Sequence, residues 1–281
     1  DTRTPLVLLA SSVVVNLVLD PLLILGAGPI PALGISGAAI AAIATRGLSL
    51  VLGLAVLVRR RLVRLAVWHW RSALAVVRVG APTAATGIIF SAVYIGLTRV
   101  TTRFGTPALA ALGVGHKLEG FAYMAATGFA LAAAAVVGQN LGAARPDRAR
   151  RAGWLATGYA VVAGSLAAIA FLAFPETLVS VFTSSPEVIA DGASYLRIIA
   201  VAEIAMVVEV VLEGSMGGAG FTLLPMLWSV SLTAARIPLA AWLAAGYGVA
   251  GVWWAISLTG VSRGVAMALL WRGERWQSVK V

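Results

Sequence analysis

Eight stretches of this chain are long enough and apolar enough to cross a bilayer, and that decides its fold class. A helix needs roughly 20 mostly apolar residues to span the hydrocarbon core. The stretches lie at about 5–27, 34–58, 80–104, 114–140, 151–174, 188–215, 221–245 and 248–271. In lipid, backbone N–H and C=O groups must be satisfied internally, and an open sheet leaves its edges unpaired, so each stretch is expected to be a helix. The chain therefore reads as all-α, a polytopic membrane helix bundle. Composition agrees: 60% of the 281 residues are hydrophobic and 11% charged, where a soluble domain is roughly half apolar and a quarter charged.

The net charge of +10 would point to nucleic acid in a soluble protein. Here the arginines gather in short segments between apolar runs, so no nucleic-acid partner is expected. "RRRLVRLAVWHWRSALAVVR", Arg59 to Arg78, and "ARPDRARR", Ala144 to Arg151, are strongly basic, and the tail "WRGERWQSVK" is mildly so. The intervening loops carry no Lys or Arg, or carry acids; only Arg103 and Lys117 weaken the alternation. Both ends are thus expected in the cytoplasm, with the chain in the inner membrane. The segment 59–79 reads as a basic cytoplasmic linker. It is either an interfacial helix with Trp68 and Trp70 at the headgroups or a plain connector, and we favour the former. The chain opens at Asp1 with no basic n-region or cleavage site, so no signal peptide is expected, and part of the protein is expected upstream.

Two stretches look alike. Pro5 and Pro225 each open a span, and Pro21 and Pro238 sit mid-span. A short glycine-containing loop follows, then G-x-x-G-x-x-x-A: Gly34, Gly37 and Ala41 in one copy, Gly248, Gly251 and Ala255 in the other. Both copies start on the cytoplasmic side, so the repeat is parallel. The second copy follows four spans and the first follows none. A complete repeat would place four more spans, roughly 140–150 residues, before Asp1 and give twelve helices in two lobes. Close helix contact is the plain explanation of these glycines.

These residues resemble the multidrug and toxic compound extrusion (MATE) transporters. "DTRTPL", "NLVLDPLLI" and "LGISGAAIA" look like the approach to that family's fifth helix and its fifth and sixth helices. "GVGHKLEGFAYMAATGFALAAAAVVGQNLGAARPDRARRAG" is similar to the eighth helix and following loop, and "VVEVVLEGSMGGAG" to the tenth. The resemblance covers nearly all the chain as helices five to twelve and looks closest to the DinF-like branch. It implies that 1–58 ends an N-terminal lobe and 80–281 is the C-terminal six-helix lobe. It also implies a cation site in the N-terminal lobe, to which Asn16 and Asp20 correspond. The sodium-coupled branch adds a Glu on the seventh helix; "TGIIFSAVY", Thr86 to Tyr94, has none, which leans the coupling ion toward H⁺ over Na⁺.

A carboxylate at bilayer depth costs roughly 2.5–3.5 kcal/mol on insertion scales unless it meets a cavity or a partner. Asn16 and Asp20 are i and i+4 and share a helix face. Pro21 has no N–H, which frees the carbonyl of Leu17. Such oxygens can hold Na⁺, and the carboxyl can carry H⁺; the alternative is an interhelical hydrogen bond that only holds the bundle. Glu209 and Glu213 are also i and i+4, with Glu213 near the cytoplasmic end. Glu203 stands six residues before Glu209, and we read the two as facing opposite ways, not both into one cavity. Glu119 is either a local partner of Lys117 or a protonatable cavity residue. Arg46, Arg99, Arg236 and Arg263 are expected to snorkel or to neutralise these acids. Tyr94, Tyr123, Met124 and Met206 could line a cavity for amphipathic cations, though such residues are more often core or lipid-facing.

No cysteine occurs, and His69 and His116 stand far apart, so no metal site is expected. No G-x-x-x-x-G-K-[ST], H-E-x-x-H or G-x-S-x-G appears, so neither ATP drive nor an enzyme is expected. The expectation is a secondary active multidrug exporter that exchanges H⁺ or Na⁺ for a small amphipathic, often cationic compound. It would need no cofactor beyond the coupling ion, act as a monomer and contact membrane lipid. The alternatives are a lipid-linked oligosaccharide flippase, which would want a large basic cavity, and a non-transporting scaffold or channel.

Overall fold

A computed structural model describes residues 3–26, 31–61 and 70–278. The long helices are α1 (Arg3–Leu25), α2 (Ile35–Arg59), α3 (Trp70–Thr101), α4 (Thr106–Gly142) and α5 (Pro146–Ala173). After the short α6 (Pro175–Ser180) come α7 (Pro186–Gly218), α8 (Leu223–Tyr247) and α9 (Val249–Arg272). No strand occurs among the described residues. Among the described residues, seven helices are long and apolar enough to cross a membrane. The eighth long helix, α7, carries Glu203, Glu209 and Glu213 within its C-terminal half and packs against α4, α5 and α9.

Helix starts follow local chemistry. Pro146, Pro175 and Pro186 each open a helix, where the missing N–H has no intrahelical partner to lose. A long helix stands at each of the eight expected spans, but the one at 188–215, α7, is not among the seven apolar enough to cross a membrane, and two starts are revised. α3 begins at Trp70, ten residues before the expected 80, so 70–78 of the basic segment is helical and continuous with the span. Residues 62–69 of that segment, with Trp68 and His69, lie outside the described residues. α4 begins at Thr106, with Gly105 before it at φ 91° and Pro107 in its first turn. Lys117 and Glu119 therefore lie well inside α4.

The chain divides into two compact units, Asp1–His69 and Trp70–Val281. The first is the α1–α2 pair. The Leu33 and Gly34 N–H groups donate to the carbonyls of Leu23 (3.0 Å) and Ile24 (3.2 Å). Gly34 takes φ 55°, a left-handed conformation that glycine adopts without steric cost.

In the second unit α7 lies against α4, α5 and α9, and α8 lies against α9 and α3. Small residues set the α4–α7 approach. A Cβ on Gly214 would stand 2.8 Å from that of Ala130, and one on Gly218 2.2 Å from the Ala134 carbonyl oxygen. Such spacing by four lets two backbones meet closely in a membrane, where no hydrophobic force drives helices together. The core above it holds Leu112, Leu196, Val252 and Ile256, with the Tyr195 ring edge-on to Trp253 at 4.9 Å. At the chain's end Trp276 stacks on Trp271 at 3.9 Å and donates its Nε1–H to the Trp271 carbonyl.

The internal repeat is present in the backbone. Gly34 (φ 55°, ψ −132°) caps α2, and Gly248 (φ 59°, ψ −143°) caps α9. Thr45 donates to the carbonyls of Ala41 and Ala42, and Thr259 to those of Ala255 and Ile256.

Candidate functional site

Two sites hold the polar groups, one in each unit. On α1 the Asn16 side-chain Nδ2 donates to Asp20 Oδ1 at 3.2 Å, and both residues are half-buried. Pro21 sits inside the helix, next to Asp20. It cannot donate to the Leu17 carbonyl, so that oxygen lies one turn from the carboxyl. One turn earlier, Ser12 Oγ reaches the Thr45 carbonyl of α2 at 3.5 Å. Among the described residues Asp20 has no cationic partner. An amide, a carboxyl and a carbonyl thus share one stretch of α1.

The second site is a cavity of about 590 Å³ inside the second unit, walled by residues of α3, α4, α7, α8 and α9. Glu119, Glu203, Glu209, Glu213, Arg236 and Arg263 all line it. Glu203 and Glu209 therefore do face one cavity, against the reading from their spacing, and α7 runs unbroken through both. Six residues advance a helix by about 600°, which leaves two side chains about 120° apart and not opposed. A cavity of this width covers that arc. Glu213, near the end of α7, lines it too and is half-buried.

Each acid is held differently. Glu119 accepts a hydrogen bond from the Tyr195 hydroxyl of α7, not an ion pair from Lys117. Residues i and i+2 on a helix do not face each other, and Lys117 is exposed. Glu209 Oε2 forms an ion pair with Arg263 Nη2 at 2.9 Å, at an angle short of a hydrogen bond. Its Oε1 accepts from Ser229 Oγ at 3.3 Å. Glu203 is 1% exposed, and its Oε1 has no partner among the described residues.

Two threonines brace the arginines crosswise. Arg236 of α8 donates Nε to Thr259 Oγ1 of α9 at 2.9 Å. Arg263 of α9 donates Nη1 to Thr233 Oγ1 of α8 at 2.9 Å. Arg263 neutralises Glu209 as anticipated, while Arg46 and Arg99 are exposed. The cavity is thus of mixed charge, although the strong basic clusters lie in loops.

Of the four proposed cavity residues, Tyr123 and Met206 line it. Tyr94 does not; its ring lies 4.9 Å from that of His116, which does. Met124 is not part of the wall and is 73% exposed. It neighbours Tyr123 on α4, and the 100° turn to the next residue carries its side chain off the cavity wall to the exposed surface of the helix. Thr233 and Thr259 escaped the sequence reading. Thr259 was open to discovery, because the repeat aligns it with Thr45.

Residues 82–242 match the family model described as MatE. A Thermotoga maritima protein named as a probable multidrug resistance protein, NorM, is 27% identical over 288 residues, covering 99% of this chain and 61% of that protein. A Shewanella oneidensis protein named as an FAD transporter is 28% identical over 207 residues, 71% of this chain and 45% of its own length. The chain thus spans less than two thirds of these relatives. The crystal structure of the Vibrio cholerae MATE transporter VcmN in its bent form shares the fold, with a TM-score of 0.81 at 23% identity over 97% of this chain and 62% of that one. With long helices that are apolar or enclosed, a cavity within the second unit and more than half its length matching the family model, this chain belongs to the MatE family of membrane transporters, whose members here are not enzymes.

Proposed function

We propose that the chain is part of a secondary active exporter in which Asp20, with Asn16, binds the coupling ion and the acid-lined cavity receives an amphipathic compound. One observation carries this reading: Asp20 is a carboxyl on an apolar helix, and its one side-chain partner among the described residues is an amide one turn away. An unpaired carboxylate in hydrocarbon is costly. Binding H⁺ or Na⁺ removes that cost in one conformation more than in another, and so biases the equilibrium between them. Ion entry then drives expulsion of the compound. H⁺ is favoured, since 86–94 holds no acid for a second sodium ligand on α3.

In this scheme residues 1–58 end one lobe, 59–79 link it to the next and 80–281 form the second. Both ends face the cytoplasm of the inner membrane, and the protein acts as a monomer. A DinF-like placement within the family fits the same residues. The cavity in the second unit speaks against a mere scaffold. Four carboxyls beside two guanidinium groups speak against a flippase, which would want a basic chamber for pyrophosphate.

The test uses the full-length protein carrying this chain, in proteoliposomes. A pH gradient and a Na⁺ gradient are imposed separately, and movement of a fluorescent cationic dye is followed. Dye movement driven by either gradient is the expected result and identifies the ion. Movement at the same rate with no gradient would mean a passive channel, and none at all would sink the exporter reading.

A further inference from the structure

The two cavity arginines are left with different amounts of binding capacity. Arg263 uses Nη1 on Thr233 and Nη2 on Glu209. Arg236 donates only Nε, and its acceptor Thr259 is itself anchored to the carbonyls of Ala255 (2.7 Å) and Ile256 (3.0 Å). Among the described residues no acceptor meets the terminal nitrogens of Arg236. No carboxylate comes within ion-pair distance either; Glu119, Glu209 and Arg263 face it from farther off. Yet Arg236 is 5% exposed and lines the cavity. A guanidinium fixed at Nε presents its outer edge as a planar fork, the shape that a carboxylate or phosphate accepts with two parallel hydrogen bonds. Burying such a charge without an anion is costly.

We propose that Arg236 anchors an oxyanion of the transported compound, so that the cavity selects amphoteric molecules. The anionic group meets the outer edge of Arg236, and the cationic end turns to Glu203, whose Oε1 also has no partner. Glu209 cannot serve that end, because Arg263 already neutralises it. This rests on the exporter reading of the cavity and narrows its substrate from cations in general to compounds carrying both charges. The repeat places the feature in one copy only. Leu23 and Leu243 are equivalent in the two turns, which sets Arg236 opposite Asn16. One copy thus carries an ion-binding pair where the other carries an anion anchor.

Rhodamine B and its ethyl ester test this, since they share a cationic ring system and differ by one free carboxylate. Binding of each to the full-length protein carrying this chain is measured by fluorescence polarisation. The wild type should prefer rhodamine B by about tenfold or more, the scale of charge-assisted hydrogen bonds. Arg236→Gln should abolish that preference, and Arg236→Lys should retain part of it. A wild type that binds the ester equally or better overturns the proposal without recourse to any variant, even if Arg236→Gln fails to fold. A preference that persists in folded Arg236→Gln overturns the anchor and leaves the exporter reading intact. A preference abolished by phosphatidylglycerol nanodiscs but not by phosphatidylcholine ones would assign Arg236 to a lipid headgroup and overturn it as well. Binding of neither dye refutes the amphoteric assignment, and gradient-driven efflux then decides the exporter reading separately.

Discussion

Gly37 and Gly251 hold the same place in two helix turns. A Cβ on Gly37 would stand 2.3 Å from the Leu23 carbonyl oxygen, and one on Gly251 2.4 Å from that of Leu243. Both obstacles are backbone, which cannot swing aside as a side chain can. Gly37→Ala and Gly251→Ala should each destabilise the protein by about 1–3 kcal/mol, the usual cost of overpacking. Gly158 in α5 has open space around its Cβ position. Gly158→Ala should be neutral or stabilising by up to about 1 kcal/mol through helix propensity. Thermal unfolding in one detergent compares all three.

The Glu209–Arg263 pair predicts a strongly non-additive double-mutant cycle. Both side chains are nearly buried and 2.9 Å apart. Glu209→Gln alone leaves a buried guanidinium without its counter-charge and should cost about 3–5 kcal/mol. Adding Arg263→Met should recover most of that loss, because the two charges vanish together. Additive losses in unfolding would contradict the pairing.

Tyr195 has two roles that one substitution separates. Its ring packs edge-on against Trp253, and its hydroxyl donates to Glu119 across the α4–α7 contact. Tyr195→Phe keeps the packing and removes the donor, at an expected cost of about 1–3 kcal/mol. Tyr195→Ala should cost clearly more, since it also empties the core.

Much of this architecture could be read along the chain, because apolar length in lipid admits few structures and the turn glycines recur at equal spacing. Helix starts were less legible. Arg71 and Arg78 made 70–78 read as part of a basic linker separate from the span, although α3 begins at Trp70 and runs straight through it. The cavity was hardest to foresee. Arg236 and Thr259 stand 23 positions apart, and Arg263 and Thr233 stand 30 apart. Neither pairing leaves a local pattern, since tertiary packing alone brings the residues together. Glu203 and Glu209 were misjudged for a simpler reason: a 120° separation on a helix is not opposition.

Outside the spans, Glu176 on α6 gives a pH signature. Its own backbone N–H, and next the Arg197 guanidinium, hold its carboxyl below the ordinary Glu value of 4.5. A depressed folded value means that the contribution to stability is complete above the unfolded value and is lost as pH falls through the folded one. Any difference in unfolding temperature between wild type and Glu176→Gln should therefore be present at pH 7 and shrink below about pH 4.5. Because the pair is exposed, it should also shrink in high salt. A difference that grows on acidification would contradict the assignment.

Asp20 carries the central claim, and Asp20→Asn in the full-length protein tests it most directly. The variant keeps the side-chain shape and an oxygen toward Asn16 but cannot exchange a proton or hold a cation's charge. Under the gradient that drives the wild type, proteoliposomes with Asp20→Asn should lose gradient-driven dye efflux by at least about tenfold, while still binding the dye. Efflux that stays coupled to the gradient at the wild-type rate would contradict the account and leave Asp20 as a packing residue of α1.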